Sequence, residues 1–325
     1  MWFFKKKTIS SLNRPLVSVR MEAVGGQGAN SAGKILAEAA VLGSHYTGNH
    51  FSSFGSEKRG SPVRSYVRFS PNHLPIRSTS SISLPDLLIV FHESLIHSRN
   101  ESLEGTNQTT DLLLNTPHLP NEVQLPKGTQ LKNIMTVDAT SIARRYGCGI
   151  NSVLLGASLH GLSEIKKEQL LITLEKFFNK LPKNKIKNNV RGFKAGYKNT
   201  EIKSFNSQQA SLEISEHSLP HLGWLNAPIG GLVLSPGNTV LKDNSVSRTG
   251  IAPQFIPEAC CHCGFCDMLC PDYCFVWEKD PTTNTFLLQG IDYQYCKGCQ
   301  KCISICPVEA LIPAKEEEIP KENKK

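Results

Sequence analysis

Two kinds of hydrophobic pattern alternate along the first part of the chain. Residues 15–24 and 62–69 alternate apolar with polar positions, which is typical of strands that bury one face. Short continuous apolar runs at 86–91, 111–115 and 134–137 indicate strands buried on both faces of a parallel sheet. Apolar stripes at helical spacing predict helices at residues 29–42, 140–146, 150–162 and 168–178. This order of elements predicts an open α/β/α sheet domain.

The pattern weakens beyond residue 198, and this change indicates the domain organisation. Ser, Gln and Asn accumulate from residue 199, and residues 227–237 are rich in Gly and Pro. We therefore predict an α/β domain at residues 15–198, followed by a linker and docking segment at 199–245. A small α+β domain is predicted at 246–313.

Ten of the 11 cysteines lie between Cys260 and Cys306, and Cys148 stands apart. Eight of the ten form two runs with the spacing C-x2-C-x2-C-x3-C-P. The first run is Cys260, Cys263, Cys266 and Cys270, and the second is Cys296, Cys299, Cys302 and Cys306. This is the spacing of bacterial ferredoxins that bind two [4Fe–4S] clusters, in which the fourth cysteine of each run ligates the other cluster. The small α+β domain at 246–313 is therefore predicted to be of the two-[4Fe–4S] ferredoxin-like type.

The crossed arrangement assigns four ligands to each predicted cluster. One cluster takes Cys260, Cys263, Cys266 and Cys306, and the other takes Cys296, Cys299, Cys302 and Cys270. Zinc is the competing metal, but zinc sites use two C-x2-C pairs for four ligands in all. Cys148, Cys261 and Cys274 fall outside the spacing, and we expect them to be small buried apolar residues. Gly264 and Gly298 lie between ligands, where the backbone approaches the cluster.

A glycine-rich loop joins the first predicted strand to the first predicted helix. It consists of Gly25, Gly26, Gln27 and Gly28. The loop is not a nicotinamide fingerprint, because Ser31 stands at the third glycine position and no acidic residue follows at the ribose-binding distance. It is not a Walker loop either. An anion site at the helix N-terminus and tight strand–helix packing both account for it.

Composition narrows the classes of function. The net charge is +8, with lysines concentrated between Lys166 and Lys203, which we interpret as a solvent-exposed helical face. No nucleic-acid-binding motif accompanies it. No run approaches the ~18–20 apolar residues that span a bilayer. Clustered, regularly spaced cysteines favour metal binding in a reducing compartment, and we expect a cytoplasmic protein with no nucleic-acid or membrane partner.

Together these segments resemble two subunits of one enzyme family. Residues 18–70, with Gly-Gly-Gln-Gly and Phe-Gly-Ser-Glu-Lys-Arg-Gly-Ser-Pro-Val, resemble the gamma subunit of the 2-oxoacid:ferredoxin oxidoreductases, the pyruvate:ferredoxin oxidoreductase family. Residues 137–143 and 151–156 fit the same subunit. Residues 230–313, including both cysteine runs, resemble the delta subunit. The departures are Ser56 for a usual Pro, Lys58 for a frequent Arg, and Ala252-Pro253 for a Trp-Arg pair.

The resemblance to a fused gamma–delta subunit implies an electron-transfer role. In this family, electrons from oxidative decarboxylation of a 2-oxoacid, here pyruvate or a related oxoacid, pass through [4Fe–4S] clusters to ferredoxin or flavodoxin. The chain lacks a Gly-Asp-Gly motif, so thiamine diphosphate and Mg are expected on alpha and beta partner subunits, in a dimer of hetero-oligomers. The active site then lies mainly on those subunits, and no catalytic residue is expected here.

The gamma domain of the family lies near the CoA site in CoA-dependent members. The resemblance therefore implies a cofactor-binding role for Gly25, Gly26, Gln27, Gly28 and Arg59. Two other functions stay open at this point. One is a non-enzymatic iron–sulfur electron carrier, and the other is a subunit of a flavin- and NAD-linked complex.

Overall fold

The computed structural model describes residues 16–43, 46–54, 62–71, 75–98, 100–212, 229–230, 243–248, 250–316 and 319. The chain divides into two compact units, Met1–Glu213 and Ile214–Lys325. We describe each unit separately. Within the described ranges, no helix is both long enough and apolar enough to cross a membrane.

A seven-stranded mixed sheet forms the centre of the first unit. Its strands are β1 Val17–Val24, β2 Tyr46–Phe54, β3 Pro62–Pro71, β4 Leu87–Val90, β5 Asp111–Asn115, β6 Asn133–Val137 and β7 Glu201–Ser204. The order across the sheet is β2-β3-β1-β4-β5-β6-β7. Strands β1, β4, β5 and β6 run parallel. The apolar runs predicted as parallel strands thus lie at the centre, where both faces are covered.

Helices of the first unit are α1 Ala29–Gly43, α2 Ser94–Ser98, α3 Ala139–Tyr146, α4 Ile150–Ser158, α5 Lys167–Phe177 and α6 Lys183–Lys198. Helices α4 and α6 approach each other closely. A Cβ at Gly156 would lie 2.0 Å from the Phe193 carbonyl oxygen, and one at Gly196 would lie 2.0 Å from the Val153 carbonyl oxygen. Backbone therefore meets backbone at this crossing, and only glycine fits.

The two faces of β1 have different surroundings. Val19 and Met21 point into the main apolar core with Ile35 of α1. Arg20, on the opposite face, is also buried, and its guanidinium donates hydrogen bonds to backbone carbonyls, including that of Ile82 at 3.1 Å. The same guanidinium pairs with the buried Glu22 carboxylate at 3.1 Å. The buried charge is thus matched by acceptors and by an opposite charge.

The predicted α/β class is confirmed, but the pattern did not predict two strands of the sheet. Strand β2 is rich in Ser, Asn and His and is aligned by pairing with β3 rather than by a hydrophobic period. Strand β7 is exposed along its length and pairs with β6 at the sheet edge. It falls inside the predicted linker at 199–245, and much of that segment lies outside the described residues. The domain boundaries stay a prediction.

Helix α6 lies in the stretch that the sequence marked as helical and rich in lysine. Its Lys183, Lys185 and Lys187 are exposed, while Asn189 and Phe193 are buried. The lysines therefore lie on the solvent-facing side of an amphipathic helix, as predicted. Helix α4 ends at Ser158, before the predicted end at residue 162.

The second unit is built from two similar halves. Its elements are β8 Ile251–Phe255, α7 Phe265–Leu269, β9 Phe275–Lys279, β10 Phe286–Ile291, α8 Lys301–Ile305 and β11 Leu311–Lys315. Antiparallel pairs join β8 to β11 and β9 to β10. Each pair combines the strand before one cysteine run with the strand after the other. This pairing brings the fourth cysteine of each run toward the other run.

Candidate iron–sulfur site

The backbone of the first cysteine run is repeated in the second. Residues in the left-handed region occupy three equivalent positions, two within each run and one just after it. The equivalent pairs are His262 and Gly298, Gly264 and Gln300, and Tyr273 and Glu309. Helices α7 and α8 also begin at equivalent positions. The duplicated cysteine spacing therefore corresponds to a duplicated backbone conformation. Left-handed residues within such a loop turn successive backbone N–H groups toward one point.

The glycines between the ligands are needed for different reasons. Gly298 has φ +66°, and a Cβ there would lie 2.7 Å from the Ile251 carbonyl oxygen. Gly264 has φ +78°, but a Cβ there would meet no atom within 4 Å. Thus Gly298 is required by conformation and by space, whereas Gly264 is favoured by conformation alone.

The first cavity gathers cysteines from both runs. It is lined by Cys260, Cys263, Cys266 and Cys306, which is the set predicted for one cluster. Trp277 also lines this cavity, and its indole Nε1–H is buried with no hydrogen-bond acceptor among the described residues. A buried donor ordinarily has an acceptor. The sulfurs of a bound cluster would supply one.

A second cavity gathers the complementary set. It is lined by Cys296, Cys299, Cys302 and Cys270. Lys297 lines it as well and pairs with Asp272 at 3.0 Å. Each cavity therefore combines three cysteines of one run with the fourth cysteine of the other, as the spacing predicts.

The chemistry of the donors fits a cluster rather than a single ion. Burial raises the pKa of Cys266 to about 11 and that of Cys302 to about 12, so both thiols are protonated at neutral pH unless a metal takes the sulfur. Four thiols spread around a cavity suit the larger [4Fe–4S] cube.

Arg248 anchors the second run. It is buried, and its Nε donates to the Cys296 carbonyl at 2.8 Å while a terminal nitrogen donates to the Tyr293 carbonyl. Its other terminal nitrogen pairs with Glu316 beyond β11. Cysteine spacing could not have identified this residue. The signal available in the sequence was its place in the segment that resembles the delta subunit.

The three cysteines outside the spacing have different surroundings. Cys148 packs against the core of the first unit, where burial raises the pKa of its thiol to about 11. Cys274 is buried in the second unit, 4% exposed, with its Sγ 3.4 Å from Cys270 Sγ. Cys261 is exposed, so the prediction that it is a buried apolar residue is wrong. Cys260, the residue before it, lines the first cavity, and Cys261 is left facing solvent.

The glycine-rich loop lies between β1 and α1. Gly26 and Gly28 have φ values of +106° and +89°. The Gln27 side chain folds back, and its Oε1 accepts a hydrogen bond from Val24 N at 2.9 Å. A Cβ at Gly28 would lie 2.8 Å from Asn151 Nδ2 of α4. Chain geometry and packing thus account for these glycines, and the role of Gly25 to Gly28 in cofactor binding stays a prediction. Arg59 lies outside the described residues.

His50 of β2 forms a polar contact that the sequence pattern did not single out. Its Nε2 lies 3.0 Å from Ser65 Oγ and 3.2 Å from Ser52 Oγ. A Cβ at Gly33 of α1 would lie 2.5 Å from the His50 ring, so helix and strand pack closely here. Burial, with a smaller contribution from Lys34, lowers the pKa of His50 to about 4. The imidazole is therefore neutral at physiological pH.

Comparison with known proteins connects both units to one enzyme family. Residues 18–199, more than half of the chain, match the family described as pyruvate ferredoxin/flavodoxin oxidoreductase. The chain belongs to this family. Residues 290–312 match the 4Fe-4S binding domain, which contains the second cysteine run.

Relatives of the pyruvate ferredoxin/flavodoxin oxidoreductase family match different parts of the chain. The common gamma subunit of the pyruvate/ketoisovalerate oxidoreductases of Pyrococcus furiosus is 32% identical over 189 residues, which are 58% of this chain and 98% of that protein. Pyruvate synthase subunit PorD of Thermotoga maritima is 33% identical over 88 residues, which are 27% of this chain and 82% of that protein.

A solved structure matches as well. The crystal structure of pyruvate oxidoreductase subunit PORC from Thermotoga maritima is 28% identical and has a TM-score of 0.50, over 58% of this chain and 99% of that one. The resemblance to a gamma–delta fusion is thereby confirmed. The chain is an oxidoreductase subunit that joins a gamma-type α/β domain to a 4Fe-4S binding domain, and other subunits complete the enzyme.

Proposed function

We propose that this chain is the electron-transfer subunit of a thiamine-diphosphate-dependent 2-oxoacid:ferredoxin oxidoreductase. It passes electrons from the oxidative decarboxylation of pyruvate or a related 2-oxoacid to ferredoxin or flavodoxin. The observation that carries the proposal is the pair of cavities, each lined by four cysteines, in a chain of this family.

Each cavity holds one [4Fe–4S] cluster in this proposal. The ligands of one are Cys260, Cys263, Cys266 and Cys306, and those of the other are Cys296, Cys299, Cys302 and Cys270. When bound, such clusters supply one-electron chemistry. The thiols of Cys266 and Cys302 give up their protons on binding iron. Phe255 and Leu288 contribute apolar side chains to the lining of the first cavity, and an apolar lining limits the access of solvent to a bound cluster.

The rest of the reaction requires partner subunits. The sequence has no Gly-Asp-Gly motif, so we assign thiamine diphosphate and Mg to alpha and beta chains. Relatives named for pyruvate and ketoisovalerate support pyruvate or a related oxoacid as substrate. The glycine-rich loop and Arg59 are candidates for contact with CoA. We expect a dimer of hetero-oligomers in a reducing, cytoplasmic setting.

Co-purification and reduction together test this function. The chain, tagged and expressed at native level, is isolated without oxygen and mixed with pyruvate, with and without CoA, and then with ferredoxin. We expect thiamine-containing partner chains to co-purify, and the iron–sulfur absorbance to bleach on addition of the oxoacid. A chain that purifies alone would support a free electron carrier instead. Bleaching by NADH but not by any 2-oxoacid would support a flavin-linked complex.

A further inference from the structure

The second cavity contains a fifth thiol. Cys274 lies among its lining residues, directly before β9, and is 4% exposed. Its Sγ is 3.4 Å from Cys270 Sγ, and Cys296 lines the same cavity. The thiol therefore touches one of the four ligands that we assign to this cluster and shares the cavity with the other three.

The first cavity has no such thiol at the equivalent position. Ala310 occupies that place in the duplicated fold, where it is 1% exposed and lines the first cavity. The first cavity does have an extra cysteine, Cys261, but this residue is exposed and follows Cys260 directly. Nothing equivalent to Cys274 therefore stands beside Cys306, and the two halves of the unit provide an internal control.

We propose that Cys274 is an alternate ligand for the iron that Cys270 holds. The inference rests on the ligand sets given under the proposed function. Because the two sulfurs are in contact, an iron bonded to one lies within a side-chain rotation of the other. The Cys274 carbonyl accepts a hydrogen bond from Asp292 N at 2.7 Å just after β10, while Cys270 directly follows α7, so the two residues are supported by different elements.

The exchange is balanced without any change of oxidation state. The Cys274 thiol releases its proton to solvent and its thiolate forms an Fe–S bond. The bond between the iron and Cys270 Sγ breaks, and the Cys270 thiolate takes up a proton. The cluster keeps four thiolate ligands and its charge. The second cluster is thereby retained when Cys270 is lost or chemically blocked, whereas the first cluster has no comparable replacement for Cys306.

Five variants of the full chain, purified anaerobically with its partner subunits, test the proposal. They are Cys270→Ala, Cys274→Ala, Cys270→Ala with Cys274→Ala, Cys306→Ala, and Cys306→Ala with Ala310→Cys. Iron per chain and the EPR spectrum of the reduced protein are the readouts. We expect about eight irons per chain in Cys270→Ala, and about four in the double alanine variant and in Cys306→Ala. Introducing Ala310→Cys should restore iron to the Cys306→Ala background.

The possible results separate this inference from the ligand assignment. Equal loss of the second cluster in Cys270→Ala and in the double variant overturns the alternate-ligand role while leaving the crossed ligands intact. Loss of the second cluster in Cys274→Ala alone overturns both, because Cys274 would then be a primary ligand. Full iron in Cys306→Ala contradicts the crossed assignment. If Cys270→Ala does not fold, Cys270→Ser, with and without Cys274→Ala, makes the same comparison.

Discussion

The two units of this chain build their cores from different materials. The first unit has a continuous apolar core, in which Val19, Ile35, Leu113 and Val153 are fully buried. In the second unit, Cys266, Cys274, Cys296 and Cys302 account for four of the twelve buried core residues in the described part. A small domain with so few large apolar side chains needs additional stabilisation. From this difference we expect the first unit to be stable by its own packing, whereas bound iron would complete the core of the second.

Removal of iron should have the largest effect and should separate the two units. We expect β8 to β11 to lose protection against hydrogen exchange when the iron is chelated. The reason is that the free energy of the thiolate–iron bonds contributes to the free energy of folding of the second unit. Peptides from β1 and β4 of the same molecule serve as the control and should stay protected. Hydrogen exchange with mass spectrometry on the full chain measures both. Equal protection of the second unit with and without iron would contradict the comparison.

A substitution at the α4–α6 crossing should destabilise the first unit alone. Gly156→Ala puts a Cβ against the Phe193 backbone, and we expect a loss of about 1–3 kcal/mol in the free energy of unfolding. Lys194→Ala, at an exposed position on α6, is the matched control and should change little. Urea unfolding followed by circular dichroism, with iron content measured in parallel, tests this. A fall in iron content in native Gly156→Ala protein would show that the units are not independent.

Glycine substitutions in the two cysteine runs, at positions that do not correspond to each other, should have unequal effects. Gly298→Ala meets both an unfavourable φ and the Ile251 carbonyl, whereas Gly264→Ala meets only the unfavourable φ, which costs about 1–2 kcal/mol. We therefore expect Gly298→Ala to lower iron retention during heating more than Gly264→Ala does. Iron released as a function of temperature is the measurement. The reverse order would mean that space beside Ile251 does not limit the second run.

Mild acid should affect the first unit through His50. Its pKa is about 4 when folded and about 6.5 when unfolded, so the unfolded chain binds the proton first as the pH falls. The contribution of His50 to stability is therefore present above pH 6.5 and declines as the pH drops toward 4. In His50→Gln this part of the pH dependence should disappear. Urea midpoints at pH 7 and pH 5 for both proteins measure it, and parallel changes in the two would exclude His50 as the cause.

The smallest expected effect is a change in the reduction potential of only one of the two proposed clusters, caused by a substitution at Trp277. If the Trp277 N–H donates to a sulfur in the first cavity, Trp277→Phe removes a hydrogen bond that favours the reduced state. The reduction potential of the first cluster should fall, and that of the second should stay constant. EPR-monitored redox titration distinguishes them. Equal shifts in both clusters, or a shift in neither, would argue against a direct contact with Trp277.

The sequence alone determined the features that have a regular period or spacing. Buried parallel strands such as β4 and β5 need continuous apolar residues, and cubane ligation needs cysteines at fixed intervals, so both leave a pattern along the chain. The two cysteine runs predicted which thiols would share a cavity. The same motifs identified the family before any fold was known.

Only the tertiary structure decided the features that depend on contact between distant residues. Strand β2 is polar and takes its place from pairing with β3, and the His50 contact with Ser65 exists only through that pairing. Cys274 and Ala310 occupy equivalent positions, yet nothing in the spacing distinguishes a packed alanine from a thiol held 3.4 Å from a ligand sulfur. Such distances are set by how separate elements fold together, and no local pattern encodes them.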